Sequence, residues 1–267
     1  TFSASSTNDF IDLLISSGLF DICACPVQND IGEDKWQPSF RKAACAKGVP
    51  IITLDQIYAK PGLIFLSTEY DKIIDTSRFK KALLLNLHFS LLPAYKGCYT
   101  SIWPLYFGES STGVTLHLLD DGIDTGDILD QALIKISRNM TALKLYDAYQ
   151  DKGLTLIEKN IKQISSGNWR KCHPQSAIGS SYYSRQSLRK LESTIDVRAT
   201  AQQIKDQIRY LFFPEYQTAR FANYKIKSCE IMKERSHKSP GTILAETNLN
   251  VRIATIDYDI ILFKFSG

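Results

Sequence analysis

The segment Lys81-Ala82-Leu83-Leu84-Leu85-Asn86-Leu87-His88 limits the possible folds of this chain more than any other. Its centre is apolar at both alternating sets of positions, so a strand built from it must be covered on both faces. It closes on two polar residues, Asn86 and His88, and the following Phe89-Ser90-Leu91-Leu92-Pro93 turns away from any continued ladder. Strands of this kind belong to sheets covered by helices, and the neighbouring sequence alternates in the way such a sheet requires.

Within residues 7–18, Phe10, Leu13 and Leu14 share a helix face, with Ser6 or Thr7 at its start and Gly18 at its end. Phe20–Cys25 reads as a buried strand stopped by Pro26, followed by a helix near 37–47, a strand at 49–53 and a short helix near 54–59. Further strands are expected at Gly62–Ser67 and Thr112–Leu119. A long helix at about 141–165 places Leu143, Tyr146, Leu154, Ile157, Ile161 and Ile164 in an apolar stripe, with Gly153 as a weak point. The expected class is α/β: a Rossmann-like, mostly parallel sheet with helices on both faces.

Beyond residue 168 the texture changes. A polar stretch to about 195 precedes Thr200-Ala201-Gln202-Gln203, the pattern of a capping box, and then Ile204, Ile208 and Leu211 on one helix face. Strand-like runs follow at Tyr224–Ile231, Gly241–Ala245, Val251–Ile256 and Asp259–Phe265. Two domains are expected: a catalytic one over 1–180 and a small β-rich one over 181–267.

Composition narrows the class. Hydrophobic residues make up 44% of the chain, ordinary for a globular protein. No run approaches the roughly 20 apolar residues of a membrane span, and the first residues do not read as a signal peptide. Six cysteines are too sparse for a disulfide scaffold, so reduced thiols and a cytoplasmic setting are expected. The net charge of +4 is spread without a basic run, which suits a phosphorylated small molecule better than nucleic acid.

Asn86 and His88, two positions apart, project from the same strand face. Open α/β sheets bind ligands beyond the carboxyl ends of their strands, where this pair sits. Asp124 lies in a second loop of that kind, Asp120-Asp121-Gly122-Ile123-Asp124-Thr125-Gly126-Asp127, after the strand at 112–119. Its glycines permit close backbone approach to a flat ligand.

These residues also carry a family likeness. Asn86-Leu87-His88-Phe89-Ser90-Leu91-Leu92-Pro93-Ala94-Tyr95-Lys96-Gly97 closely resembles the signature of formyltransferases that use N10-formyltetrahydrofolate. Gly113-Val114-Thr115-Leu116-His117 and Asp121–Ile128 resemble its second signature, and the likeness spans roughly residues 60–165. The resemblance implies that Asn86, His88 and Asp124 are catalytic. His88 would act as general base or as a donor to the oxyanion, Asn86 as an oxyanion donor, and Asp124 as the group that tunes His88 or relays a proton. It also implies that N10-formyltetrahydrofolate, as co-substrate, lies against Leu66, Asp120, Gly122 and Ile123.

The acceptor divides this family. Glycinamide ribonucleotide enzymes carry a glycine-rich phosphate loop where this chain has Ser3-Ala4-Ser5-Ser6-Thr7, and methionyl-tRNA enzymes have a larger terminal barrel. The small C-terminal region, with Tyr210–Tyr216, is more similar to the nucleotide-sugar N-formyltransferases. That likeness implies a dTDP-linked 3- or 4-amino-dideoxy sugar for O-antigen or related glycan synthesis. Lys72 would be a pyrophosphate contact, Tyr216 a base-stacking residue, and the protein a homodimer without nucleic-acid or membrane partners. Methionyl-tRNA formylation is the alternative enzyme, and a silent folate- or nucleotide-binding module the alternative without chemistry.

Other residues receive blander expectations. His117 is expected to pack or to make a structural hydrogen bond, and Cys23 and Cys25 to be buried thiols on a strand. Asp120, Asp121 and Asp127 are expected to serve the loop itself, since no metal-binding spacing is present.

Overall fold

The structure, a computed structural model, describes residues 7–167 and 172–265. The Ser6 cap, the first part of the Ser3–Thr7 segment and the start of the polar stretch at 168–171 therefore lie outside the described residues. In chain order the elements begin with α1 (Thr7–Ser17), α2 (Phe40–Ala46), α3 (Leu54–Ala59), β1 (Ile64–Thr68), β2 (Leu83–His88) and β3 (Lys96–Gly97). They continue with α4 (Trp103–Tyr106), β4 (Ser111–Leu118), β5 (Ile128–Lys135), α5 (Ala142–Ser166), β6 (Tyr182–Tyr183) and α6 (Arg185–Arg189). The remainder is α7 (Ala201–Leu211), β7 (Arg220–Phe221), β8 (Tyr224–Ile231), β9 (Ile243–Glu246), β10 (Asn250–Ile253) and β11 (Ile260–Lys264). No helix among the described residues is long and apolar enough to cross a membrane.

The chain forms two compact units. The first takes residues through Thr100, Ser111–Lys135 and Asp147–Tyr183; the second takes Ser101–Ser110, Ile136–Tyr146 and the chain from Ser184 on. The chain passes into the second unit for the last time after Tyr183. Two earlier excursions, 101–110 and 136–146, join the second unit, which one linear boundary does not express.

The first unit is α/β around a four-stranded sheet in the order β1-β2-β4-β5. β1 and β2 pair in parallel, and Ala24 and Ile51 make a further parallel bridge. β4 runs antiparallel to both β2 and β5, so the sheet is mixed. For β4 and β5 the reason is local: residues 119–127 return the chain directly from one to the other, and a short return connects antiparallel strands. The polar positions Asp130, Gln131 and Lys135 interrupt any clear alternation, which hides β5 from a reading of the sequence. At 20–25 and 49–53 the expected strands shrink to the single Ala24–Ile51 bridge. Cys25 is buried but Cys23 is exposed, contrary to expectation, because this segment is not enclosed on both faces.

The apolar face of β2 explains the glycine inside α5. A Cβ on Gly153 would stand 2.7 Å from Leu87 Cδ2, so glycine lets the helix backbone come this close to the strand without displacing that buried side chain. Leu85 and Leu87 are fully enclosed there, and burying each contributes roughly 1.5–3 kcal/mol. Packing this half of β2 leaves Asn86 and His88 on its other face.

The second unit folds around an antiparallel sheet in the order β7-β8-β11-β10-β9, with α7 packed on it. Ala201, Ile204, Ile208 and Leu211 of the helix meet Ile226, Val251, Ile253, Ile260 and Leu262 of the sheet. Thr200 and Gln203 form the expected capping box: Thr200 Oγ1 accepts from the Gln203 N–H at 3.1 Å, and the Thr200 N–H donates to Gln203 Oε1 at 2.9 Å.

Candidate active site

β2 and β4 bring the polar residues together by register. Asn86 lies opposite His117, and His88 opposite Thr115. After β2 the chain is held by side chains from the sheet: Thr115 Oγ1 donates to the Ser90 carbonyl at 2.6 Å and accepts from the Leu92 N–H at 3.1 Å. Gln131 Nε2 donates to the Leu92 carbonyl at 3.0 Å, and the Leu92–Pro93 peptide is cis. This anchoring brings the Tyr95 carbonyl and the Gly97 N–H to the site.

The loop after β4 delivers Asp124 from the other side. Asp120 Oδ1 accepts from the Gly122 N–H at 3.1 Å and from Thr125 Oγ1 at 2.7 Å, so this carboxylate shapes the loop. A Cβ at Gly126 would lie 1.9 Å from the Leu118 carbonyl oxygen, so the loop closes on β4 only with glycine there. Asp124 itself has φ 54°, in the left-handed region. That conformation costs a residue with a Cβ roughly 1–2 kcal/mol, offset here by what its carboxylate binds.

Asp124 is the hub. Its Oδ2 accepts from the Gly97 N–H at 2.8 Å, and its Oδ1 accepts from Asn86 Nδ2 at 3.2 Å. His88 Nδ1 lies 3.4 Å and His117 Nε2 3.6 Å from the same Oδ1. Burial works against ionisation of Asp124, yet the charge that His88 and His117 carry when protonated, with the Gly97 N–H, outweighs it and holds the carboxyl far below the usual carboxylate range. Asp124 is therefore an anion at neutral pH.

His88 is buried, and its Nε2–H donates to the Tyr95 carbonyl at 2.9 Å. Its basic nitrogen is then Nδ1, which faces Asp124. Burial is the largest influence and pushes its pKa below the ordinary 6.5. Asp124 and the Tyr95 carbonyl oppose that shift, while His117 and Lys96 add to it. The outcome is an imidazole neutral at pH 7 whose protonated form has an anion waiting at Nδ1.

His117 makes the structural hydrogen bonding that is one of its two expected roles. Its Nδ1–H donates to the Leu118 carbonyl at 2.7 Å, leaving Nε2 to accept from Asn86 Nδ2 at 3.1 Å. Both amide hydrogens of Asn86 are thus engaged, one by His117 and one by Asp124. The expected oxyanion donation would require one of these bonds to be exchanged. Cross-strand parity is the signal that points to His117, but it emerges only once the β2–β4 register is known. Gln175 has no such signal; its Nε2 donates to the carbonyls of Asp124 and Gly126, each at 2.8 Å.

The remaining candidates are less concentrated. Leu66 is half-buried on β1, opposite Leu85, and Ile123 is 42% exposed on the Asp124 loop beside Gly122. Lys72 is exposed and donates to Gln28 Oε1 at 2.7 Å. Tyr216 belongs to the second unit, 62% exposed, with its ring 5.4 Å from that of Phe213.

The formyl transferase family matches residues 59–161, which include every member of the Asn86–His88–His117–Asp124 cluster. The N-formyltransferase of Helicobacter canadensis, crystallised with folinic acid and dTDP-3-aminofucose, is 34% identical. The match covers 97% of this chain and 95% of that one, with a TM-score of 0.84. This chain belongs to the formyl transferase family. A second formyl transferase, WlaRD, a sugar 3N-formyl transferase crystallised with dTDP and 5-N-formyl-THF, is 36% identical. That match covers 98% of this chain and 94% of WlaRD, again with a TM-score of 0.84. The methionyl-tRNA formyltransferase of Clostridium beijerinckii is 34% identical over 185 residues, 67% of this chain and 58% of that enzyme. The chain spans little more than half the length of three of the methionyl-tRNA formyltransferases it matches, 58%, 56% and 55%, and 75% of that of Pelobacter propionicus, which is 27% identical.

Proposed function

We propose that this formyl transferase moves the formyl group of N10-formyltetrahydrofolate onto the amine of a dTDP-linked amino-dideoxy sugar, with the 3-amino position preferred. One observation supports this reading above the others: the two sugar enzymes match over nearly the whole of both chains, the second unit included. The methionyl-tRNA enzyme matches over only part of its length, so formylation of charged tRNA is the second reading. A role in O-antigen or related glycan synthesis, with Lys72 and Tyr216 contacting the nucleotide, belongs to the same proposal. So does donor contact by Leu66, Asp120, Gly122 and Ile123.

In this reading the neutral amine attacks the formyl carbon and a tetrahedral oxyanion forms. Asn86 exchanges its 3.2 Å bond to Asp124 for one to that oxyanion, keeping its bond to His117. His88 Nδ1 takes the proton lost by the attacking nitrogen, and Asp124 stabilises the imidazolium. The carbon–N10 bond then breaks, and the proton passes from His88 to N10. The products are the N-formylated sugar and tetrahydrofolate. Turnover of dTDP-3-amino and 4-amino isomers, compared by kcat/KM, tests the reading. A higher value for charged initiator tRNA than for either sugar would favour the alternative.

A further inference from the structure

We infer that Gln175 is a positioning residue of this reaction: it clamps the backbone on both sides of the Asp124 turn and thereby aims the carboxylate at His88. The inference rests on the catalytic roles proposed above for Asp124 and His88.

Gln175 lies 51 residues after Asp124, in a segment tied down at both ends. At one end His173 and Ile128 exchange both backbone hydrogen bonds at 2.9 Å. At the other, β6 pairs with β3, and Ser181 Oγ accepts from the Tyr95 N–H at 2.8 Å. The segment therefore touches both loops that build the site, the one bearing Tyr95 and Gly97 and the one bearing Asp124.

Between these anchors the amide of Gln175 is held in one sense. Its Nε2 donates to the carbonyls of Asp124 and Gly126, both at 2.8 Å, and a flipped amide would set oxygen against two oxygens. The other amide atom, Oε1, is buried and has no hydrogen-bond partner among the described residues. Both donors of the amide are thereby spent on the backbone that carries Asp124. What the donations hold is a residue with φ 54°, which has no glycine to ease it. Without the clamp, the backbone at Asp124 is free to relax toward the common regions, turning the carboxylate away from Nδ1 of His88.

Gln175 touches neither of the reacting groups, so its loss should leave a specific mark. The charged and titratable groups facing His88 are Asp124, His117 and Lys96; of these only Asp124 favours the protonated imidazole. Turning Asp124 away lowers the pKa of His88 and removes the stabilisation of its imidazolium. The test is Gln175→Met, close in size and without the two donors, alongside Gln175→Ala. Each is assayed for kcat and KM with the formyl donor and a dTDP-3-amino sugar, and the His88 imidazole is titrated by NMR.

The expected result is a kcat reduced roughly 10–100-fold, KM values within about threefold of wild type, and a His88 midpoint moved to lower pH. A melting transition retained in either variant assigns the effect to geometry. An unchanged kcat and His88 midpoint in a folded variant overturns the inference, as does a raised KM with kcat intact. If the wild type forms no product, the proposed function fails, and the imidazole titration still decides whether Gln175 aims Asp124.

Discussion

Asn86 and His117 face each other across paired strands, and one amide hydrogen of Asn86 joins the imidazole Nε2 at 3.1 Å while the other joins Asp124 at 3.2 Å. The amide is therefore the bridge between a fully buried histidine and the anion that governs His88. Asn86→Ala removes a donor from each partner. It should destabilise the fold by about 1–3 kcal/mol, since buried acceptors are left unpaired. Denaturant melts would show the loss of stability, and kcat should fall while the substrate KM stays close to wild type.

The pH dependence follows from the environment of His88. Its pKa is held below the ordinary 6.5, so the basic form persists into mildly acid solution. The acid limb of kcat/KM should therefore lie below pH 6.5. Asp124, ionised far below the usual carboxylate range, contributes no limb near neutrality. For stability the sign is the same for both groups. The contribution is fully present above the unfolded-state pKa and is lost as pH falls toward the folded one, because the unfolded chain takes up the proton first. A kcat/KM profile with its acid limb above pH 6.5 would contradict this account of His88.

Much of this arrangement is legible in the sequence, for physical reasons. The apolar centre of β2 announces a covered strand, and its terminal Asn86 and His88 announce a site, because alternation alone assigns their shared face. Thr200 and Gln203 specify a helix start through local hydrogen bonds, and α7 begins there. What depends on register or on distant chain is hidden. The polar positions of β5 disguise a strand whose direction is set by a hairpin. His117 reads as packing or a structural hydrogen bond, and that its partner is Asn86 emerges only when β4 is laid against β2. Gln175 reaches Asp124 from 51 residues away, through contacts that leave no periodic trace.

Gly153 gives a prediction for stability apart from the site. Gly153→Val would add atoms where a Cβ alone already meets Leu87 at 2.7 Å. Overpacking of this kind should cost about 1–3 kcal/mol, outweighing the better helix propensity of the new residue. The readout is the urea midpoint. A variant as stable as wild type would mean that α5 yields readily against β2.

The cap of α7 offers a control in the second unit. Thr200→Ala removes the side chain that accepts from the Gln203 N–H and should destabilise by about 1 kcal/mol. Because the substitution lies far along the chain from the cluster at Asp124, the pH profile of turnover should be unaltered. A shifted acid limb in this variant would show that the limb reports fold stability and not the protonation of His88.

The central claim is formyl transfer to an amino sugar by the Asn86–His88–Asp124 cluster. It is tested most directly by incubating the protein with N10-formyltetrahydrofolate labelled in the formyl carbon and a dTDP-3-amino-dideoxy sugar, then weighing the sugar nucleotide. The account predicts a labelled formyl adduct on the sugar amine, formed roughly 10²–10⁴-fold more slowly by His88→Ala. An unlabelled sugar after prolonged incubation with wild-type protein, or an adduct formed equally fast by His88→Ala, would contradict it.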